Sequence, residues 1–179
     1  MALDITPGGA SSDAYSTIET IHAYAVKVGA SFPITGNDTP STAAAIAAAE
    51  AAARRATAWL DGEYGPRFIG VPASASQALE WPRSDAWFRG EELPDDTIPQ
   101  KIVEAMCEAA IRELAEPGVM SPDLDRGGRV KSESVDGAIA ITYMDGAPTE
   151  TTFTAIDGKL RGLIRAAARG LTFGRAVRG

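Results

Sequence analysis

Residues 77–114 constrain the fold most, because they join an aromatic-proline-arginine block to an amphipathic segment. Trp81 precedes Pro82, and a proline excludes the α-conformation at the residue before it. Apolar side chains then recur with helical spacing at Ile102, Val103, Met106, Cys107, Ala110, Ile111 and Leu114. At about 100° per residue they cover about half of a helix circumference. The pattern predicts a core helix with Pro99 as its first residue.

A second helix follows from alanine content. Eleven of the sixteen residues 43–58 are alanine, which has the highest intrinsic helix propensity. Small side chains also let another helix approach closely. Trp59 and Leu60 are expected to anchor the end of this helix, and Asp61-Gly62 is expected to stop it.

Three further elements complete the predicted fold. Ser16 and Glu19 fit a capping box for a helix that runs to Val28, with Val28 on its apolar face. A β-hairpin is predicted at about residues 129–144, with a turn at Asp136-Gly137. A last helix is predicted from about 155 to 169, where Arg161, Arg165 and Arg169 would form a basic ridge.

These elements predict a mainly α protein: a small helical bundle of about four helices with one β-hairpin and an extended C-terminal tail. Residues 1–14 are expected to be a flexible leader with little to bury, residues 15–169 one helical domain, and residues 170–179 a basic tail. The expected core and structural residues are Trp59, Trp81, Pro82, Ile102, Met106, Cys107 and Leu114.

Charge is distributed unevenly. The chain carries a net −7, yet residues 156–179 hold six basic side chains against Asp157 alone. The acidic body opposes broad, non-specific binding of nucleic acid, which depends on positive surface. A basic tail on an acidic body is expected to meet a negative surface.

Four aromatic residues admit two interpretations: Tyr64, Phe68, Trp81 and Trp87. They could stack on the bases of single-stranded nucleic acid, with nearby arginines on the backbone. They could instead anchor loops against the core, which we favour because aromatic residues with one nearby arginine, as around Tyr64, are a weak signal for a nucleic-acid surface. An exposed Trp-Arg group could also be a protein-interface hot spot.

Catalytic patterns are missing from the sequence. It holds one histidine and one cysteine, which excludes ordinary His/Cys metal clusters. It contains neither a phosphate-binding glycine loop nor a nucleophile elbow. We therefore expect no enzyme, no catalytic residue, no cofactor and no metal. The sequence also shows neither the pattern of a signal peptide nor an apolar run long enough to span a membrane, so no membrane partner is expected.

The order of several motifs resembles one family. "SDAYSTIETIHAYA", "TAWLDGEYG", "QALEWPR", "IPQKIVEAMCEAAIREL", "RVKSESVDGAIAITY" and "DGKLRGLIRA" together resemble the head-to-tail connector adaptors of long-tailed phages. That family is also labelled DnaT-like single-stranded-DNA-binding protein. The chain departs from the pattern at residues 30–42 and after Gly170.

The resemblance implies a structural, head-completion role in the virion neck, with assembly in the host cytoplasm. Such adaptors form a ring, commonly a dodecamer, that binds the portal protein and a stopper or tail-terminator protein. Genomic double-stranded DNA passes through the ring without sequence-specific binding. Portal contacts are expected in the basic C-terminal region, at Arg161, Arg165, Arg169, Leu171, Phe173, Arg175 and Arg178. The alternative is a DnaT-like replication protein that binds single-stranded DNA.

Overall fold

The computed structural model describes residues 2–33, 43–121 and 153–165. The helices are α1 (Ile18–Val28), α2 (Ala43–Tyr64), α3 (Gln100–Ala115) and α4 (Thr154–Leu160), with a 3-10 turn at Gly65–Arg67. The strands β1 (Val71–Pro72) and β2 (Arg83–Ser84) pair antiparallel, as do β3 (Trp87–Phe88) and β4 (Glu91–Glu92). The mainly α prediction with about four helices is confirmed. The hairpin predicted at 129–144 and the tail at 170–179 lie outside the described residues.

The core forms where α2 packs on α3. Four alanines of α2 and three of α3 are fully buried: Ala49, Ala52, Ala53, Ala56, Ala105, Ala109 and Ala110. Small side chains at these positions let the two backbones come close. Around them lie the larger buried side chains Trp81, Phe68, Leu60, Ile102, Met106, Ile156 and Leu160. Among the expected core residues, Trp59 and Leu114 are only half-buried against this cluster.

The polar face of α3 is covered as well. Tyr24 of α1 donates to Glu108 Oε1 at 2.7 Å, and Lys159 of α4 donates to Glu104 Oε2 at 3.1 Å. The polar residues of α3 therefore contact α1 and α4 through charged and phenolic groups, in addition to the shared apolar core. Glu108 also pairs with Arg112 at 2.9 Å, one turn along the helix.

Three details at the helix ends differ from the prediction. Thr17, not Ser16, caps α1, because its side chain accepts from Thr20 N. Val28 was predicted on the core face but is 48% exposed, since it lies in the last turn before Gly29, beyond the buried residues of the helix. Pro99 is the N-cap of α3, one position before its first helical residue.

The predicted stop at Asp61-Gly62 is wrong, because α2 continues to Tyr64. The Asp61 carboxylate accepts from the Tyr15 hydroxyl and from Glu80 N, so it is used in tertiary contacts rather than in ending the helix. These contacts outweigh the cost of about 1 kcal/mol for glycine inside a helix.

The last helix is shorter than predicted. It ends at Leu160 instead of continuing to residue 169, and Gly162 follows with φ +90°. A bridge then pairs Ile164 with Phe68 in antiparallel fashion. Arg161 and Arg165 consequently lie outside the helix, so the predicted ridge of arginines along one helix face is not formed by them.

Residues 2–14 differ from the flexible leader that the composition predicted. Asp13 N donates to Asp4 O at 2.8 Å, and Asp4 N donates back to Asp13 Oδ1 at 2.9 Å. Asp13 also binds Arg54 of α2 at 2.6 Å. Ser12 and Ala14 are buried. The segment has bonding partners in α2 that composition alone does not reveal.

None of the helices in the described ranges has the length and hydropathy required to cross a bilayer.

Candidate interaction surface

Arg83 holds the aromatic-proline-arginine block in place. Its guanidinium donates to Ile69 O at 2.8 Å, to Gly70 O at 3.2 Å and to Glu80 O at 3.2 Å. It also pairs with the Glu80 carboxylate at 2.5 Å. The side chain is 7% exposed. Arg83 therefore links the two ends of the segment between residues 69 and 83, and its guanidinium hydrogens are used in bonds to backbone carbonyls.

Three of the four candidate stacking aromatics are buried. Trp81 and Phe68 are 1% and 0% exposed and meet edge to face, with ring centroids 5.6 Å apart. Tyr64 is 3% exposed and donates to Asp157 Oδ1 at 2.6 Å. These rings cannot stack on a nucleic-acid base without unfolding. They are anchors of the core, as the favoured interpretation predicted.

Trp87 is different, because it is 60% exposed. It lies on a β-hairpin formed by β3 and β4, which was not predicted from the sequence. The two turn residues, Arg89 and Gly90, have φ values of +56° and +88°. Positive φ at both central residues is typical of a type I′ turn, which matches the twist of a tight hairpin. The Arg-Gly dipeptide is a weaker signal for this turn than Asn-Gly, so the hairpin was missed.

The register of the hairpin separates its side chains into two faces. Trp87 lies opposite Glu92, and Phe88 lies opposite Glu91. Directly opposed residues of an antiparallel pair have their side chains on the same face. The exposed Trp87 therefore has a carboxylate as its cross-strand neighbour.

The other face of the hairpin packs on the body. A Cβ added at Gly162 would lie 2.8 Å from Phe88 Cε2, so the ring of Phe88 lies directly over this glycine. Arg89 and Lys101 lie over the same ring, at 5.1 and 6.0 Å from its centroid. The nearby cations are thus directed to Phe88.

A shallow groove lies beside the hairpin. It has a volume of about 340 Å³ and is lined by Ser84, Glu92, Leu93, Pro94 and Asp95. Its walls include two carboxylates, and Leu93 and Pro94 supply apolar surface. We call Trp87 together with these five residues the Trp87 face.

A buried polar network supports the block from behind. The Tyr15 hydroxyl donates to Asp61 Oδ1 and accepts from Trp81 N at 3.3 Å, and Asp61 Oδ2 accepts from Glu80 N at 3.1 Å. Burial raises the pKa of Asp61 to about 6, although the hydrogen bonds from Tyr15 and Glu80 N oppose this. Burial and the nearby Asp61 likewise raise the pKa of Tyr15.

This network predicts a pH dependence of stability. Because the pKa of Asp61 is higher in the folded state than its ordinary 3.8, the fold binds the proton more tightly than the unfolded chain does. The contribution of Asp61 is therefore fully present below about pH 4 and is lost as the pH rises through about 6. Urea titrations at a series of pH values measure this effect. As the pH rises from about 4 through about 6, the free energy of unfolding of the native chain should fall relative to that of Asp61→Asn.

Glu63→Gln is the matched control, since it removes an exposed carboxylate from the same helix. It should leave the pH dependence of the native chain in place. A constant difference between the native chain and Asp61→Asn from pH 4 to 7.5 would contradict the assignment.

A buried carboxylate on α3 was also not predicted from the sequence. Glu113 is 2% exposed and pairs with Arg55 of α2 at 2.6 Å. It also accepts from Gly118 N at 2.9 Å and from Met120 N at 3.1 Å. Burial opposes the charge of Glu113, yet these donors hold its pKa below the ordinary value. A glutamate in a helical pattern gives no signal that distinguishes this role from a solvated one.

The portal candidates can be placed only in part. Arg161 and Arg165 are exposed. Arg169, Leu171, Phe173, Arg175 and Arg178 lie outside the described residues. Ile156, Leu160 and Leu163, which lie in the same part of the chain, are buried in the core. Within residues 156–165 of this region, the exposed side chains are therefore those of Arg161 and Arg165.

Metal and thiol chemistry receive no support from the described ranges. They contain no group of three or more His, Cys, Asp or Glu residues that could hold a metal ion. His22 Nδ1 lies 2.7 Å from Phe32 O. Cys107 is buried, and burial together with the nearby Glu104 and Glu108 raises its pKa to about 12. Such a thiol is a packing group rather than a nucleophile.

A comparison with protein families gives one match. The model of the family described as "Putative DnaT-like ssDNA binding protein" matches residues 1–179, the whole chain. Searches of curated proteins and of solved structures returned no match.

Proposed function

We propose a function for this chain, which belongs to the DnaT-like single-stranded-DNA-binding protein family. It acts through protein–protein contacts as a structural head-to-tail adaptor of a tailed phage or phage-like particle. It would form a ring under the portal, extend the DNA channel and dock the stopper or tail-terminator protein. It would be assembled in the host cytoplasm, would bind no membrane, and would catalyse no reaction.

The observation that carries this proposal is the surroundings of the aromatic residues. Trp81, Phe68 and Tyr64 are buried, and the exposed Trp87 has Glu92 directly across the hairpin. A carboxylate beside a stacking ring repels the phosphate of a nucleotide. An exposed tryptophan beside an acid is instead suited to a protein partner, since tryptophan is enriched among interface hot spots.

The charge of the described residues supports the same function. They contain seventeen acidic and eleven basic side chains. Five of the eleven basic residues form ion pairs with acidic side chains of this chain: Arg54, Arg55, Arg83, Arg112 and Lys159. A protein that holds DNA by its phosphates needs free cations, whereas a channel subunit must let DNA slide past. The excess of acidic side chains and the pairing of five cations within the chain favour the second role.

Portal attachment is assigned to the basic C-terminal region, as the resemblance implied. Its exposed arginines, Arg161 and Arg165, are available to an acidic partner surface. Deleting residues 166–179 is expected to abolish portal binding in a pull-down, because the deletion removes three arginines and two large apolar residues while keeping every described element. Unchanged portal binding by the truncated chain would overturn the assignment.

Single-stranded-DNA binding remains the second candidate function, because the family carries that description over the full length of the chain. Among the residues that the structure describes, the exposed Trp87 with Arg89 and Lys101 is the candidate stacking group for this function. Both cations already lie over Phe88, on the face of the hairpin opposite to Trp87. This geometry makes a stacking surface with phosphate contacts less suitable than a protein interface.

Electron microscopy of particles made without the gene discriminates the two functions. DNA-filled heads without tails are expected for an adaptor that acts after packaging. A failure of DNA replication with no filled heads would support the second candidate. Titrating the purified protein against a labelled oligo(dT) at low salt gives an independent readout: we expect no change in anisotropy, and binding that weakens steeply with added salt would contradict the adaptor proposal.

A further inference from the structure

We propose that the Trp87 face binds a cationic segment of a partner protein, with an arginine side chain between Trp87 and the carboxylates of Glu92 and Asp95. This inference rests on the proposed function, because it takes the face to be a protein interface, and it adds the chemistry of the partner. The face lies entirely within described residues.

Charge complementarity is the first argument. Residues 85–97 expose five carboxylates: Asp85, Glu91, Glu92, Asp95 and Asp96. The same segment contains one basic residue, Arg89, which lies over Phe88 on the opposite face of the hairpin. A partner that covers this surface therefore has to bring positive charge. An acidic partner would bury like charges against each other without compensation.

The second argument is the position of the exposed ring. Trp87 shares a face with Glu92, and Glu92 also lines the adjacent groove. Tryptophan is the best aromatic acceptor for a cation above its ring. A planar guanidinium can stack on an aromatic ring and also donate two hydrogen bonds to a carboxylate, which an ammonium group cannot reproduce. The pairing of Trp87 with Glu92 therefore favours arginine over lysine.

The groove supplies space for the remainder of the side chain. Its volume of about 340 Å³ is near the lower end of ligand-sized clefts. Leu93 and Pro94 can contact the aliphatic part of an arginine, while Asp95 lies on the wall beside Glu92. Arginine characteristically packs its methylenes on apolar surface and leaves its charged end with polar partners.

The test uses the full chain and an octapeptide of alternating arginine and glycine, labelled with fluorescein, in anisotropy titrations at low salt. Trp87→Ala and Glu92→Gln are each expected to weaken binding by about fivefold or more, because each removes one half of the cation site. Replacing arginine by lysine in the peptide should weaken binding to the native chain and leave binding to Trp87→Ala nearly unchanged.

Two control variants separate the site from general electrostatics. Glu63→Gln changes the net charge by the same amount as Glu92→Gln but lies on α2, and Val71→Ala removes an exposed apolar side chain outside the face. Both should change the affinity by less than about twofold. Circular dichroism of every variant verifies that the fold is retained, which is expected because the substituted side chains are exposed.

Each contrary result has a distinct meaning. Equal weakening by Glu63→Gln and Glu92→Gln would overturn the site, because the binding would then follow net charge alone. Self-association that Trp87→Ala abolishes in sedimentation would assign the face to contacts between copies and overturn the inference. Absence of peptide binding would overturn the inference and leave the adaptor proposal standing. Binding of oligo(dT) that requires Trp87 would overturn both.

Discussion

Replacing Glu113 by glutamine is expected to lower the free energy of unfolding by about 2–4 kcal/mol. The carboxylate is 2% exposed and accepts from Arg55, from Gly118 N and from Met120 N. Glutamine keeps the size of the side chain but removes its charge and offers one acceptor oxygen instead of two. At least one buried donor then loses its partner, and Arg55 loses its counter-ion.

Urea denaturation of the purified chain at pH 7 measures this effect. Glu116→Gln is the matched control, because Glu116 is an exposed glutamate at the end of the same helix, and its substitution should change the stability by less than about 0.5 kcal/mol. The pH dependence gives a second test. Since the pKa of Glu113 is lowered by folding, its contribution is present above the ordinary value of 4.5 and is lost as the pH falls through the folded-state value.

The difference in the free energy of unfolding between the native chain and Glu113→Gln should therefore become smaller below pH 4.5. This trend opposes the one expected for Asp61, whose contribution is lost as the pH rises. A difference in the free energy of unfolding that stays constant down to pH 3 would contradict a stabilising role for the ionised carboxylate of Glu113.

Replacing Arg83 by lysine is expected to destabilise the chain by about 2–3 kcal/mol, although the charge is retained. Arg83 donates to three backbone carbonyls, those of Ile69, Gly70 and Glu80, from a side chain that is 7% exposed. One ammonium group cannot reach the positions of three guanidinium nitrogens. Some of these carbonyls would remain buried without a donor.

Thermal and urea unfolding of Arg83→Lys would measure the loss, with Arg89→Lys as the control at an exposed position of the same segment. The control should change the stability by less than about 0.5 kcal/mol. The variant also tests the stacking interpretation, in which arginines near the aromatic residues would contact the nucleic-acid backbone. If Arg83 served DNA rather than the fold, Arg83→Lys would keep its stability and weaken oligo(dT) binding.

The aromatic-proline-arginine block is therefore structural, and the hairpin that follows it carries the exposed surface. Arg83 and Trp81 fix the block to the core, and Phe88 packs against Gly162. The hairpin that carries Trp87 is therefore held in place both by the preceding block and by the contact of Phe88 with Gly162. A partner site of this kind loses little conformational entropy on binding, because the exposed ring is already positioned.

The sequence by itself determined the helical class of this protein. The spacing of apolar residues in α3 and the alanine content of α2 each specify a helix through local physics, since periodicity and propensity act within a few turns of the chain. The placement of Ile102, Met106 and Cys107 in the core followed from the same spacing, and these side chains are buried, as is Trp81 of the aromatic-proline-arginine block.

Only the tertiary structure decided which polar residues the fold uses and which aromatic residue it leaves exposed. Glu113 and Asp61 look like ordinary helix residues in the sequence, and their roles come from donors that lie far along the chain, at Arg55 and Tyr15. Trp81 and Trp87 are six residues apart and chemically identical, yet one is 1% and the other 60% exposed. Burial depends on contacts between distant segments, and those contacts have no counterpart in local spacing.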